Sequence, residues 1–383
     1  MKSRQTLNTS LSRRSLLVLT GATLTGCGGG DALTAAGPPG TGGTGVFAQG
    51  AISGFGSVIV NGIKFDDTKA SIQLDGVSVA STVLRLGMMA VVEGQRGANL
   101  MLGTAATIEV WSTAQGPVSQ IAGNAFKLAG MTIETNSNTV FDGIASVAAL
   151  APGARVTVWG LQAGSDGQHW TATRVAMASD ATVVSTGLIS SLNSRTYLNG
   201  LRLTGSMAGN LNTGDMLRVQ GVLSVAGDSL AVDSSRVMGP GLLFQPEGDV
   251  EIEGLVTAVS SASRFMMGRF DVDASAATYS PPAPQILVGL RLKVIGTWRL
   301  GVLRASSIDV EDEISLQSVE IMGVIEKFVS LGNFVVRGQR CDATSAAITR
   351  GTAADFQNGK MIAVKGIKAG DVLRVTDLKL ITG

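Results

Sequence analysis

Histidine is nearly absent from this chain, with one in 383 residues, His169. A Ser-His-Asp triad needs a histidine beside its nucleophile, and hydrolytic zinc sites take two or three, so both classes of hydrolase lack their usual means. Cysteine is almost as scarce, at two, which rules out a disulfide framework. Aromatic residues are 4% and charged residues 15%, the latter below the roughly 25% of ordinary soluble domains. No apolar run reaches the ~18 residues of a spanning helix, and no heptad pattern is sustained. What abounds is glycine, 50 residues, in a chain that is 45% hydrophobic. That mixture is too apolar for disorder and, with its Ser, Thr and Val, favours short strands and tight turns.

Self-comparison organises the chain. The eleven residues LRLGMMAVVEG end at Gly94, and their frame returns in LAPGARVTVWG, LNTGDMLRVQG, ILVGLRLKVIG and FQNGKMIAVKG, ending at Gly160, Gly221, Gly296 and Gly366. The first position is always apolar, the fourth and eleventh are Gly, and the ninth is Val. A Leu-x-x-Gly loop turning into a strand explains the pattern. Its seventh and ninth side chains share one face, and the last glycine is expected to open the next turn at positive φ. The tenth position faces the other way and reads Glu93, Trp159, Gln220, Ile295 and Lys365. Three polar residues mark that slot as outward, which leaves Trp159 and Ile295 as apolar groups on a wet face. They are expected to pack on a neighbouring copy, or, for Trp159, to stack on a ligand.

A second anchor lies upstream of each frame. Val60-Asn61-Gly62-Ile63 is a two-residue hairpin turn, and Leu198-Asn199-Gly200-Leu201 repeats it. Ala129-Gly130, Met267-Gly268 and Arg337-Gly338 stand at the corresponding places, the turn glycines being 68, 70, 68 and 70 residues apart. Earlier still, Gly50, Gly116, Gly187, Gly254 and Gly323 each lead into a strand. Gly54-Phe55-Gly56 therefore opens a hairpin and not a phosphate loop, which needs a helix N-terminus behind its glycines. In the closing strand the apolar spacing slips from two to three (Ala172 to Val175, Ala305 to Ile308, Val375 to Leu378), which predicts a β-bulge.

Some five strands in roughly 60–70 residues predict a small closed barrel similar to an OB-fold, because an Ig-like sandwich wants about seven strands and about 100 residues. The third copy departs most, with 21 residues from Gly200 to Gly221 against 28–32 elsewhere. The predicted fold is thus all-β: five tandem OB-like barrels of about five strands each, at 49–113, 114–180, 181–240, 248–312 and 318–382. Barrels of this size bury only about 60% of their unfolded surface, so contacts between neighbours are expected.

At the N-terminus, Lys2, Arg4, Arg13 and Arg14 precede the apolar stretch Ser15–Gly26, which is too short to span a bilayer. It ends in Leu24-Thr25-Gly26-Cys27, which resembles the lipobox of bacterial lipoproteins. The resemblance implies removal of a signal peptide, residues 1–26, before Cys27, a diacylglycerol on its thiol, and durable membrane attachment. Arg13, Arg14, Leu24, Thr25 and Gly26 are then signal-recognition residues. Ser12-Arg13-Arg14-Ser15-Leu16-Leu17 also resembles a twin-arginine export signal, and an ordinary basic n-region reads the same way. Residue 28 is Gly rather than the Asp that retains lipoproteins at the inner membrane, which points to the outer membrane of a Gram-negative envelope, its face undetermined. Residues 27–48 hold Cys27 and a flexible Gly/Pro/Thr-rich tether. Without residues 1–26 the chain has 26 basic and 29 acidic groups, a net −3 that makes no footprint for nucleic acid.

The pattern Gly-x-Ile-Ser-Gly-Phe-Gly-Ser-Val-x-Val-Asn-Gly, then Gly-Met-x-Ala-Val-Val-Glu-Gly, is similar to the bacterial domain of unknown function 5666. The resemblance is closest at 49–111, and the other copies share only its glycine and valine frame. The family occurs as tandem repeats behind lipoprotein signals and implies no catalytic residues.

Candidate chemistry is sparse. His169, in SDGQHWT, reads as a surface residue after an Asp-Gly turn, and Gly227-Asp228-Ser229-Leu230 spells a lipase motif with no histidine after it. Cys341 is a small buried hydrophobe or else an exposed thiol that pairs with a partner. Asp309, Glu311, Asp312 and Glu313 gather between copies four and five as solvated linker charge or a Ca²⁺ bridge, without a glycine-punctuated loop around them. Arg264, Phe265, Arg269 and Phe270 flank the turn of copy four, as barrel core plus exposed arginines or as a ligand face on the strands where OB-folds hold polymers. No catalytic residue, metal or cofactor is expected. The sequence points to a non-catalytic, membrane-anchored envelope lipoprotein acting as a structural or interaction module. A carbohydrate- or peptide-binding envelope protein is the alternative, with envelope proteins or glycans as partners.

Overall fold

Strands in this chain return on themselves in short cycles. The computed structural model describes residues 45–99, 101–164, 166–238, 249–268, 270–282, 284–310 and 318–381. Among them all regular structure is strand apart from short 3-10 turns. Arg13, Arg14, Leu24, Thr25, Gly26, Cys27, Arg269, Glu311, Asp312 and Glu313 lie outside the described residues.

The strand Gly45–Gly54 pairs antiparallel with Met89–Arg96 over its first half and with Val58–Val60 near its end. Val58–Val60 turns into Ile63–Asp66 through Asn61-Gly62, both at positive φ (52° and 80°), as a type I′ hairpin requires. Ile63–Asp66 runs parallel to Leu102–Val110, and that strand pairs back on Met89–Arg96 to close a five-strand ring. The same cycle of pairings is made within 114–177, 183–237, 249–310 and 318–380. We number these rings one to five. Alternation along each strand turns one set of side chains inward: Ile52, Val58, Ile63, Phe65, Val92 and Ile108 fill the first ring. All five frame valines, Val92, Val158, Val219, Val294 and Val364, are at most 1% exposed.

Three features depart from the sequence reading. A sixth short strand, Ser71–Leu74, Val140–Asp142, Thr278–Ser280 or Ala347–Arg350, runs parallel to the closing strand beyond its bulge. Ring three has a 3-10 turn, Ser206–Asn210, in that place, which accounts for its shorter span. The last glycine of the frame opens no turn. Gly94, Gly160, Gly221, Gly296 and Gly366 lie within strands, opposite the bulge, where an added Cβ would fall 1.9–2.5 Å from a facing carbonyl oxygen. Their role is close approach, and it is the fourth frame glycine, such as Gly87 at φ 76°, that needs positive φ.

The upstream glycines likewise sit inside the first strand of each ring. Asn61 folds over Gly50 and donates Nδ2 to the Gln49 carbonyl (3.1 Å). Asn199 does the same over Gly187, donating to the Thr186 carbonyl (3.0 Å). Their Oδ1 atoms occupy the space a side chain on the glycine would need, 2.0 and 2.3 Å from an added Cβ.

Each ring leaves one half-edge of its first strand unpaired, and every such half-edge is covered by another ring. Val46–Gln49 of ring one pairs in parallel with Asp249–Ile252 of ring four. Gln115 of ring two pairs with Val184 of ring three. In ring five, Phe55 of ring one caps the edge: its N–H donates to the Glu320 carbonyl and its carbonyl accepts from Met322 N–H, both at 2.9 Å. The strands consequently form sheets of thirteen, eleven and six.

Candidate functional site

Ring one meets all four others, and the groups that hold it there form the most concentrated polar chemistry among the described residues. The bulge of ring two supplies the first junction. Bulge formation leaves Thr173 unpaired in the ladder, because Trp159 faces Arg174 while Gly160 faces Ala172. The freed Thr173 Oγ1 donates to the Gly87 carbonyl (2.6 Å), and Arg174 Nη1 donates to the Leu86 carbonyl (3.1 Å). Gly87 is the loop glycine of ring one; a Cβ there would lie 2.4 Å from the Thr173 carbonyl oxygen. Arg174 also pairs with Asp142 and lies 6.0 Å above the Trp159 ring. Burial lowers its guanidinium to about 10, against the pull of Asp142, and it stays charged at neutral pH.

Ring three docks through Arg218 and Arg236. Arg218 Nε donates to the Ser112 carbonyl (2.9 Å), and its Nη2 reaches Ser112 Oγ (2.8 Å) and Asp75 Oδ1 (2.9 Å). Asp75 in turn accepts from Ser112 N–H (2.8 Å), so the segment joining rings one and two is pinned from both sides. Arg236 pairs with Glu109 (3.1 Å) and covers the Trp111 ring at 4.1 Å. Across the shared sheet of rings one and four, Arg96 pairs with Glu251, both side chains under a tenth exposed. Burial raises the Glu251 carboxyl even so, with Arg96 opposing. At ring five, Arg337 lies 4.5 Å over Phe55 and donates to the carbonyls of Met322 (3.0 Å) and Ser81 (2.8 Å). Lys368 of ring five donates to the Thr139 carbonyl of ring two at 2.5 Å.

The residues singled out in the sequence do not converge on one face. Trp159, 5% exposed, is buried in the apolar cluster that rings one and five share. Ile295 is half-buried within its strand, opposite Glu251 and Ser307. Phe265 lies fully inside the core of ring four, and Arg264 is held within its own hairpin by Asp271, through two bonds (3.0 and 2.6 Å). Phe270 is 3% exposed and meets Trp298 edge-on at 5.9 Å. Asp309 pairs with Lys293 (2.9 Å). His169 is exposed beside Asp166 (3.0 Å), and the Ser229 hydroxyl of the Gly-Asp-Ser-Leu turn donates to the neighbouring Asp228 (3.2 Å). Cys341 is 1% exposed, and burial pushes its thiol up to about 12.

Arg96, Arg174, Arg218 and Arg337 are the junction groups that sequence reasoning passed over. In a chain with so few charges, an arginine inside an otherwise apolar strand, as in TATRVAM or MLRVQG, was the available signal.

Between rings one to four lies a cleft of about 120 Å³, with walls that include Met89, Trp111, Trp170 and Phe270. Among the described residues no group of three or more His, Cys, Asp or Glu is placed to hold a metal ion. No curated protein matches the chain. One family model matches residues 115–176, the span of ring two, whereas the sequence resemblance is read most closely on ring one. Ring two is thereby similar to a family described as a domain of unknown function, DUF5666.

Proposed function

We propose that the chain is a lipid-anchored, non-catalytic module of the bacterial cell envelope, built from five copies of one barrel and serving as a scaffold for other envelope components. The observation that carries this reading is the use made of four buried or half-buried arginines. Arg96, Arg174, Arg218 and Arg337 each bind another ring, so distinctive polar groups go into fixing ring against ring. Charge-assisted bonds inside a low-dielectric junction hold geometry more firmly than surface pairs do. A platform of fixed geometry suits a scaffold. The lipobox-like Leu24-Thr25-Gly26-Cys27 supports the anchor, and the Gly/Pro/Thr-rich residues that follow it support a tether.

Expression in a Gram-negative host tests the anchor. The mature N-terminus should be Cys27 carrying a diacylglycerol mass, and the chain should partition into detergent with the outer membrane. Cys27→Ser should release it to the aqueous phase. An unmodified Cys27, or a Cys27→Ser variant that remains in the detergent phase, overturns the proposal.

A further inference from the structure

Trp170, Met267 and Phe270 belong to the cores of their own rings and also border the cleft, where half-buried Met89, Trp111 and Met216 meet them. The cleft has side chains of four rings around it: Met89 and Trp111 of ring one, Trp170 of ring two, Met216 of ring three, and Met267 and Phe270 of ring four. Its polar groups are already engaged. Trp170 Nε1 donates to the Gly167 carbonyl (2.8 Å), Trp111 Nε1 donates to Glu109 (3.1 Å), and Glu253 accepts from Arg291. The lining holds two carboxylates, Glu109 and Glu253, and no Lys or Arg among the described residues.

We propose that this cleft binds a small, uncharged, largely apolar molecule with a planar ring. An apolar guest displaces water from methionine and indole surface without stripping any unpaired polar group. A cavity of about 150 Å³ lined by apolar side chains holds benzene, so a cleft of about 120 Å³ is on the scale of a single ring. Methionine thioethers adapt to the outline of a guest and favour contact with aromatic edges. Glu109 and Glu253 are matched by Arg236 and Arg291, so an anion would shed its water in a cleft whose described lining offers it no cation of its own, and a sugar-like ligand would find few free hydrogen-bonding partners. The cleft shares Glu109, Trp111 and Ser112 with the junction to ring three, but binding of a guest does not depend on the scaffold reading, and either stands without the other.

Isothermal titration of the intact protein with phenol tests the site. One molecule should bind per chain, with Kd on the order of 0.1–1 mM for a ligand of about seven heavy atoms. Benzenesulfonate, with the same ring and a negative charge, should bind at least tenfold more weakly. Leu255→Trp and Met238→Trp fill the cleft from different rings, and each folded variant should weaken phenol binding at least tenfold. Absence of saturable binding, equal affinity for the sulfonate, or undiminished binding in a variant that melts like the parent overturns the proposal. Should both variants misfold, the comparison of the two ligands on the parent protein decides it.

Discussion

Single glycines separate two physical demands in this chain, and the separation is testable. Gly87 and Gly153 occupy the same frame position with φ of 76° and 86°, but a Cβ on Gly153 would meet nothing within 4 Å, whereas one on Gly87 would strike ring two. Gly153→Ala should therefore cost only the left-handed backbone term, about 1–2 kcal/mol. Gly87→Ala should cost about 2 kcal/mol more, from the forced shift of the Thr173 and Arg174 contacts, as read by denaturant unfolding. Equal losses would show that the ring junction does not bear on the Gly87 loop.

Lys368 provides the pH signal at this scale. Burial lowers its ammonium to about 8, with Arg174 reinforcing and Asp371 opposing. The unfolded chain holds that proton up to about 10.4, so between pH ~8 and ~10.4 the unfolded state binds more protons than the folded state, and stability rises with pH. Cys341, raised to about 12, acts in the opposite sense above pH ~8.5. The informative quantity is the stability difference between the parent and Lys368→Met, in which the thiol cancels. That difference should shift toward the parent between pH 7.5 and 9.5; a constant difference would remove Lys368 as its source. The valine frame and the hairpin turns were legible from sequence because their signals are local. The role of Gly94 and its equivalents was not, since it depends on which carbonyl lies opposite, a matter of pairing across ~10 residues.

At the scale of elements, the bulge and the Gly-Phe-Gly loop do more than shape a ring. The slip from period two to period three announced the bulge in the sequence, but not that Thr173 would be freed to reach another ring. Gly54-Phe55-Gly56 was legible as a hairpin entrance. Its second use, capping the half-edge at Glu320–Met322, was not, because its partner lies some 265 residues away. Phe55→Ala should cost about 3–5 kcal/mol from lost burial at the junction. Hydrogen exchange should then rise at Met322 N–H, with Val364 N–H in the interior of ring five little changed. Equal acceleration at both sites would mean that the cap and ring five open as one unit.

For the whole molecule, the sequence described a string of similar barrels, whereas the chain places ring one against the other four. Sequential order says nothing of this, because rings one and four and rings one and five are joined by backbone edges that every copy offers alike, together with side chains that differ from copy to copy. Trp159 shows the limit: an outward tryptophan is expected against a neighbouring copy, but the sequence does not say that rings one and five form the cluster that buries it. Arg174→Met should test how far docking supports stability. It leaves Asp142 half-exposed and withdraws the bond to the Leu86 carbonyl, for a loss of about 3 kcal/mol in the intact chain. An isolated ring two, residues 114–180, should bind hydrophobic dye and emit at longer wavelength, as Trp159 meets water. Emission as blue as that of the intact protein would show that Trp159 is sheltered without its neighbours.

The parallel pairing of Val46–Gln49 with Asp249–Ile252 has a consequence for biosynthesis. A ribosome releases the earlier strand roughly two hundred residues before the later one exists, so the nascent molecule carries an adhesive seam for most of its translation. Whatever guards the newborn polypeptide, a chaperone or the pace of synthesis, must shield that seam until ring four has emerged.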